Sequence, residues 1–114
     1  MAVTAYASGT QSATVTTEHF LSSPNAAGVY TLHVDMNAMV AGDTVEFRIY
    51  QMVLTAGTQR PVEVWTFFGA QPTDAKIFVS NPIANELTDT NALRFSLKQT
   101  TGTSRSFPWK VLTY

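Results

Sequence analysis

Thr44-Val-Glu-Phe-Arg-Ile-Tyr-Gln-Met-Val-Leu54 is the stretch that decides the fold. Val45, Phe47, Ile49 and Val53 share one face of an extended chain, and Thr44, Glu46 and Arg48 share the other. Successive side chains of a strand point to opposite faces, so this alternation predicts a strand buried on one side. From Tyr50 onward the second face also turns apolar, through Met52 and Leu54, which predicts cover on both sides over the far half.

The same period runs outward in both directions. Tyr30, Leu32, Val34 and Met36 oppose Thr31, His33 and Asp35; Leu93, Phe95 and Leu97 oppose Arg94, Ser96 and Lys98; Phe107, Trp109 and Val111 are set against Lys110. Val62 to Phe68 and Ala75 to Ser80 add two strands, and Val3 to Ala7 and Ser12 to Thr16 are shorter candidates. Turn residues punctuate these runs at Ser23-Pro-Asn, Ala41-Gly-Asp, Ala56-Gly-Thr, Gln71-Pro-Thr-Asp, Asn81-Pro and Thr101-Gly-Thr. Such short spacing leaves no room for crossover helices. One helical turn is predicted at Asn37 to Ala41, before Gly42.

The expected architecture is all-β: an antiparallel two-sheet sandwich of jelly-roll type with seven to eight strands. Residues 1–114 read as one domain, a size that buries roughly two-thirds of the surface its unfolded chain exposes. Residues 1–17 carry a second reading, as an N-terminal arm that is mobile or bound by a partner.

Composition narrows the function. Charged residues make up only 13% of the chain and hydrophobic ones 45%, against a usual charged share of roughly 25%. Either Thr, Ser, Asn and Gln solvate the surface, or a partner covers part of it. A formal net charge of −1 supplies no field to steer the chain to nucleic acid or an anionic membrane. No stretch approaches the roughly 20 apolar residues of a membrane helix, and the start lacks a secretory leader's basic and apolar regions. The absence of cysteine excludes thiolate zinc sites, thiol catalysis and disulfides.

Catalytic patterns are equally sparse. No G-x-S-x-G elbow or phosphate-cradling glycine loop is present, and the eight carboxylates are scattered. His19 and His33 are the only histidines; His33 shares a face with Asp35, but a metal-dependent enzyme of the double-stranded β-helix type needs a third converging ligand. The expectation is therefore no enzyme, no cofactor and no metal. Trp65 and Phe67 are the aromatics that would stack on sugar rings in a carbohydrate-binding module or tail adhesin. Phe67, flanked by Trp65 and Phe68, also fits a strand covered on both sides. Arg60 and Arg105, on loops rich in Thr, Ser and Gln, have the forked donors to reach a neighbouring subunit, with solvation the ordinary alternative.

Gly28-Val-Tyr-Thr-Leu-His-Val-Asp-Met-Asn-Ala-Met-Val-Ala-Gly-Asp-Thr-Val-Glu-Phe-Arg-Ile-Tyr50, with Leu93-Arg-Phe-Ser-Leu-Lys-Gln-Thr-Thr-Gly-Thr-Ser-Arg-Ser-Phe-Pro-Trp109, resembles small structural proteins of tailed bacteriophages, the head decoration or cement proteins. The resemblance implies a virion protein on the capsid surface, synthesised in the host cytoplasm. It would be a homotrimer that bridges major capsid protein subunits and so stabilises the head. Contacts with the capsid or between subunits are then expected at Thr4, Tyr6, Thr10 and Thr14 of the N-terminal segment and at Arg60 and Arg105.

Overall fold

The computed structural model describes residues 2–114. It contains nine strands and, among the described residues, no helix: β1 (Thr4–Ser12), β2 (Glu18–Ser22), β3 (Gly28–Asp35), β4 (Thr44–Gln51), β5 (Arg60–Phe68), β6 (Ile77–Val79), β7 (Ile83–Asn85), β8 (Leu93–Thr101) and β9 (Ser106–Thr113). One sheet has the order β1-β9-β3-β6, with β7 also on β3, and the other has the order β2-β8-β4-β5. Every pairing is antiparallel. The chain crosses between the sheets after each strand except at the β4–β5 hairpin and between β6 and β7, and its ends return to lie side by side as β1 and β9. That is the double Greek key of a jelly roll.

The count exceeds the expected seven to eight because one strand is interrupted. β6 pairs with His33 to Asp35 and β7 with Gly28 to Tyr30, so both follow the same edge of β3. Between them Ser80 turns inward, its hydroxyl accepting from the Leu32 N–H at 2.8 Å, and Pro82 lacks the N–H that would continue the ladder. Two further expectations change. Asn37 to Ala41 forms a turn with Met39 buried, not a helical turn. β2 lies where the sequence showed no clear alternation, because its pairing with β8 breaks register between Phe20 and Ser22.

The core is formed where the two sheets face each other. Leu32, Val34, Val45, Phe47, Ile49, Phe95, Leu97, Phe107 and Val111 are all essentially without solvent exposure. At roughly 1.5–3 kcal/mol for each large apolar side chain fully buried, this layer supplies the main driving force for folding. Residues 4–12, the greater part of the segment that also read as an arm, are paired with β9 from Thr4↔Thr113 to Ser12↔Ser106. Tyr6 packs edge-on against the buried Tyr30, ring centroids 5.4 Å apart.

Candidate interaction surfaces

Neither Trp65 nor Phe67 forms an exposed platform, which corrects the sugar-stacking expectation. β5 places them opposite Phe47 and Val45, on the inner face. Phe78 crosses from the other sheet to meet Trp65 at 5.0 Å, Phe67 at 5.4 Å and Phe47 at 4.9 Å between centroids. The sequence placed the aromatics of β5 on a strand correctly; the face depended on register, which only the partner strand sets.

Phe20 is an exposed aromatic on the outer face of the β2-β8-β4-β5 sheet, where the Arg94 guanidinium lies 3.4 Å above the ring centroid. Glu18 accepts hydrogen bonds from Tyr50 Oη and Ser96 Oγ, both at 2.6 Å. Burial works against its charge, but those two bonds, with Arg48 and Lys98 nearby, hold its carboxyl below the ordinary range. Burial, and then the same carboxylate, push the Tyr50 phenol up. Arg48 is also tied to Glu46, at 2.8 Å. This face is a polar mat in which Arg94 covers one side of the Phe20 ring, while the Nε atoms of Arg48 and Arg94 are buried without a hydrogen-bond partner among the described residues.

Arg105, expected at a contact with a neighbouring subunit, is engaged through its Nε within its own chain, its side chain still 27% exposed. Its Nε donates to Asp43 Oδ2 at 2.8 Å, and Asp43 is 2% exposed. Asp43 also accepts from the Val40 N–H at 2.9 Å. Desolvation opposes this charge, yet the Val40 and Arg105 bonds outweigh it and hold the carboxyl below its usual value. Gln99, fully buried, completes the lock: its amide donates to the carbonyls of Thr101 and Thr103 and accepts from the Arg105 N–H. The β8–β9 turn is thus fastened to the β3–β4 loop.

The remaining predicted residues lie apart. Thr4 and Thr10 are exposed on the free edge strand β1, and Thr14 in the following turn, where its N–H donates to His19 Nε2 at 3.0 Å. His33 bonds Thr31 Oγ1 at 3.0 Å; burial, then Lys110, lowers its pKa. Among the described residues no three metal-ligating side chains converge. Arg60 stands exposed at the start of β5, in no ion pair among the described residues, beside a cleft formed with Gln51, Val53, Leu54, Gly57 and Thr58.

That cleft holds what the alternation concealed. Val53 and Leu54 were expected to be covered, yet they are 82% and 72% exposed. The ladder slips at Ile49/Tyr50 and β4 stops at Gln51, so both side chains fall in a turn. Two more apolar sets face outward: Val62, Val64 and Phe68 along β5, and Ile77, Val79 and Pro108 on the β1-β9-β3-β6 sheet. A run of two apolar residues just before Ala56-Gly-Thr was the available signal. Comparisons with protein-family models, curated proteins and solved structures find no match for this chain.

Proposed function

We propose that the chain is a virion structural protein, a capsid decoration protein that stabilises a phage head by bridging major capsid protein subunits as a homo-oligomer, a trimer on the resemblance. The observation that carries this reading is the distribution of apolar surface. In a chain with 13% charged residues, large hydrophobics stand outside in groups, Val53 with Leu54 and Val62 with Val64 and Phe68. Grouped apolar surface marks contact with other macromolecules, whereas single exposed hydrophobics need no explanation. The jelly roll is compatible with this role but is shared with lectins and cupins, so the fold alone does not select it. Multivalent attachment of an oligomer to neighbouring shell subunits raises affinity without new contacts.

The reading is supported at the expense of glycan binding by the inward packing of Trp65 and Phe67. Its test is direct. Mass spectrometry and imaging of purified particles should find the protein on the head, and adding it to heads that lack it should raise their melting temperature. Absence from virions, or placement only on the tail, overturns the proposal.

A further inference from the structure

We propose that β1 is an exchangeable strand: together with Ala13 it leaves β9 of its own chain and completes the same edge of β9 on a second copy. This exchange deepens the decoration reading, on which its role in a capsid-bound oligomer rests, and it is tested on the free chain.

The place for the strand is specific to β1. Pairing along β9 runs from Thr4↔Thr113 to Ser12↔Ser106, and the Ala13 N–H continues it by donating to Arg105 O at 2.8 Å. Ala13, 1% exposed, is the plug that this segment sets into the core. Tyr6 stands edge-on to the buried Tyr30, Gly9 lies against the Trp109 indole, and a bulge between Ala5 and Ala7 sets the register. The strand that meets these fittings is the one seated there. What fits an opened β9 edge is therefore β1, and a second copy of the chain carries it.

β1 is also readily detached. It lies at the edge of its sheet and has no fully buried side chain, only Ala7 and Gln11 being half-buried. Segments with few buried contacts open locally at far less cost than the whole fold.

The hinge supplies the bias. β1 and β2 belong to different sheets, and the chain passes between them in one turn, residues 14–17, closed by a bond from the Thr17 N–H to Thr14 O at 3.0 Å. Thr16 in that turn has φ 71°, a left-handed backbone that a β-branched residue adopts only under constraint. Straightening the turn releases the strain and, at about 3.5 Å per residue, gives β1 roughly 14 Å of reach to a neighbour. In the closed and the exchanged chain β1 makes the same contacts with β9. The balance is then set by the strain released at Thr16 against the freedom lost on association. Short strained hinges tilt that balance toward exchange.

Ser8 and Lys110, exposed and directly opposite in the ladder, give the test in a chain without cysteine. Opposite residues of an antiparallel pair stand about 4.5–5.5 Å apart at Cα, within the span of a disulfide. Ser8→Cys chains and Lys110→Cys chains, unfolded together in urea, refolded and oxidised, should form a disulfide between the two variants, located by mass spectrometry of the linked peptides. Its yield should exceed about tenfold that of Ser8→Cys with Thr58→Cys, an exposed loop position that reports random collision, because a paired strand holds the thiols at high effective concentration. The double variant of Ser8→Cys with Lys110→Cys, refolded alone, should run as covalent oligomers without reductant and as a monomer with it. Thr16→Gly, which removes the left-handed strain, should shift the free chain toward monomer about fivefold while melting no lower than the wild type. Linkage between variants at the collision level, an intrachain disulfide in the double variant, or an oligomer fraction unchanged by Thr16→Gly overturns the exchange. Closed monomers that still bind heads overturn it and leave the decoration role standing; exchanged oligomers absent from virions do the reverse.

Discussion

Asp43 carries one of few charges in the chain, and it is buried. Its carboxylate is worth keeping because three loops converge on it: it receives the Val40 N–H, it anchors Arg105, and Gly102 lies so close that any side chain there would strike it. Gly102 also has φ +92°, a backbone that residues with a Cβ rarely adopt. Asp43→Asn keeps an acceptor but removes the charge opposite Arg105, which is partly exposed and can turn to water. The expected loss is about 2 kcal/mol, below the cost of breaking a fully buried pair, read from urea unfolding. The pH dependence follows from the same group. Folding lowers the proton affinity of Asp43, and likewise of Glu18, so the unfolded chain binds more protons at acid pH. The stabilisation is complete above the ordinary carboxylate range near pH ~4. It is lost as pH falls through the lower folded values. Melting curves should therefore fall steeply below about pH 4 in the wild type and less steeply in Asp43→Asn.

At the scale of elements, β5 shows what alternation can and cannot say. Its existence was legible in Val62 to Phe68, but both faces carry aromatics, and the choice of face is made by the pairing of Phe47 with Trp65. Trp65→Ala should cost about 2–3 kcal/mol, somewhat under the usual value for a fully buried aromatic, because Trp65 is only partly buried against Phe78. A glycan array that is silent for both proteins, with the melt lowered only in the variant, separates this core role from a binding role. β3, β4, β8 and β9 were legible because each buries one face along most of its length. β2 and β7 were not, being short, and β2 broken by a bulge as well. The exposed Val53 and Leu54 were hidden for a related reason: a slip in register ends the strand while the hydrophobic pattern continues. β1 reads either way in sequence, as strand or arm, since most of its residues are small and none is charged. Removing residues 1–12 decides between them. A free arm leaves stability unchanged, whereas the edge strand seen here shields Trp109, whose indole approaches the Gly9 position to 3.4 Å of a would-be Cβ. Denaturant melts of the truncated chain should show a loss of about 3 kcal/mol, comparable to exposing a packed aromatic.

For the molecule as a whole, the topology governs how the chain can fold. Of its strand pairings only β4 with β5 joins neighbours in sequence; β1 pairs with β9, β2 with β8 and β3 with β9, so the fold closes as nested layers around a single hairpin. Loop closure must be met before such distant contacts return any stability, which places two-state all-β sandwiches in the millisecond-to-second range. The β4–β5 hairpin is the one pairing formed at low entropic cost, and Phe47 at its centre also meets Phe67 and Phe78. The expected nucleus is therefore β4 and β5 with β8 docked on β4, while β1 and β9 join late. Stopped-flow chevrons check this. Val45→Ala should slow refolding by most of its stability loss, and Val111→Ala, equally buried on β9, should act almost entirely by speeding unfolding. If both substitutions slow refolding alike, pairing of the chain ends precedes the hairpin, and the order inferred from the nested topology is wrong.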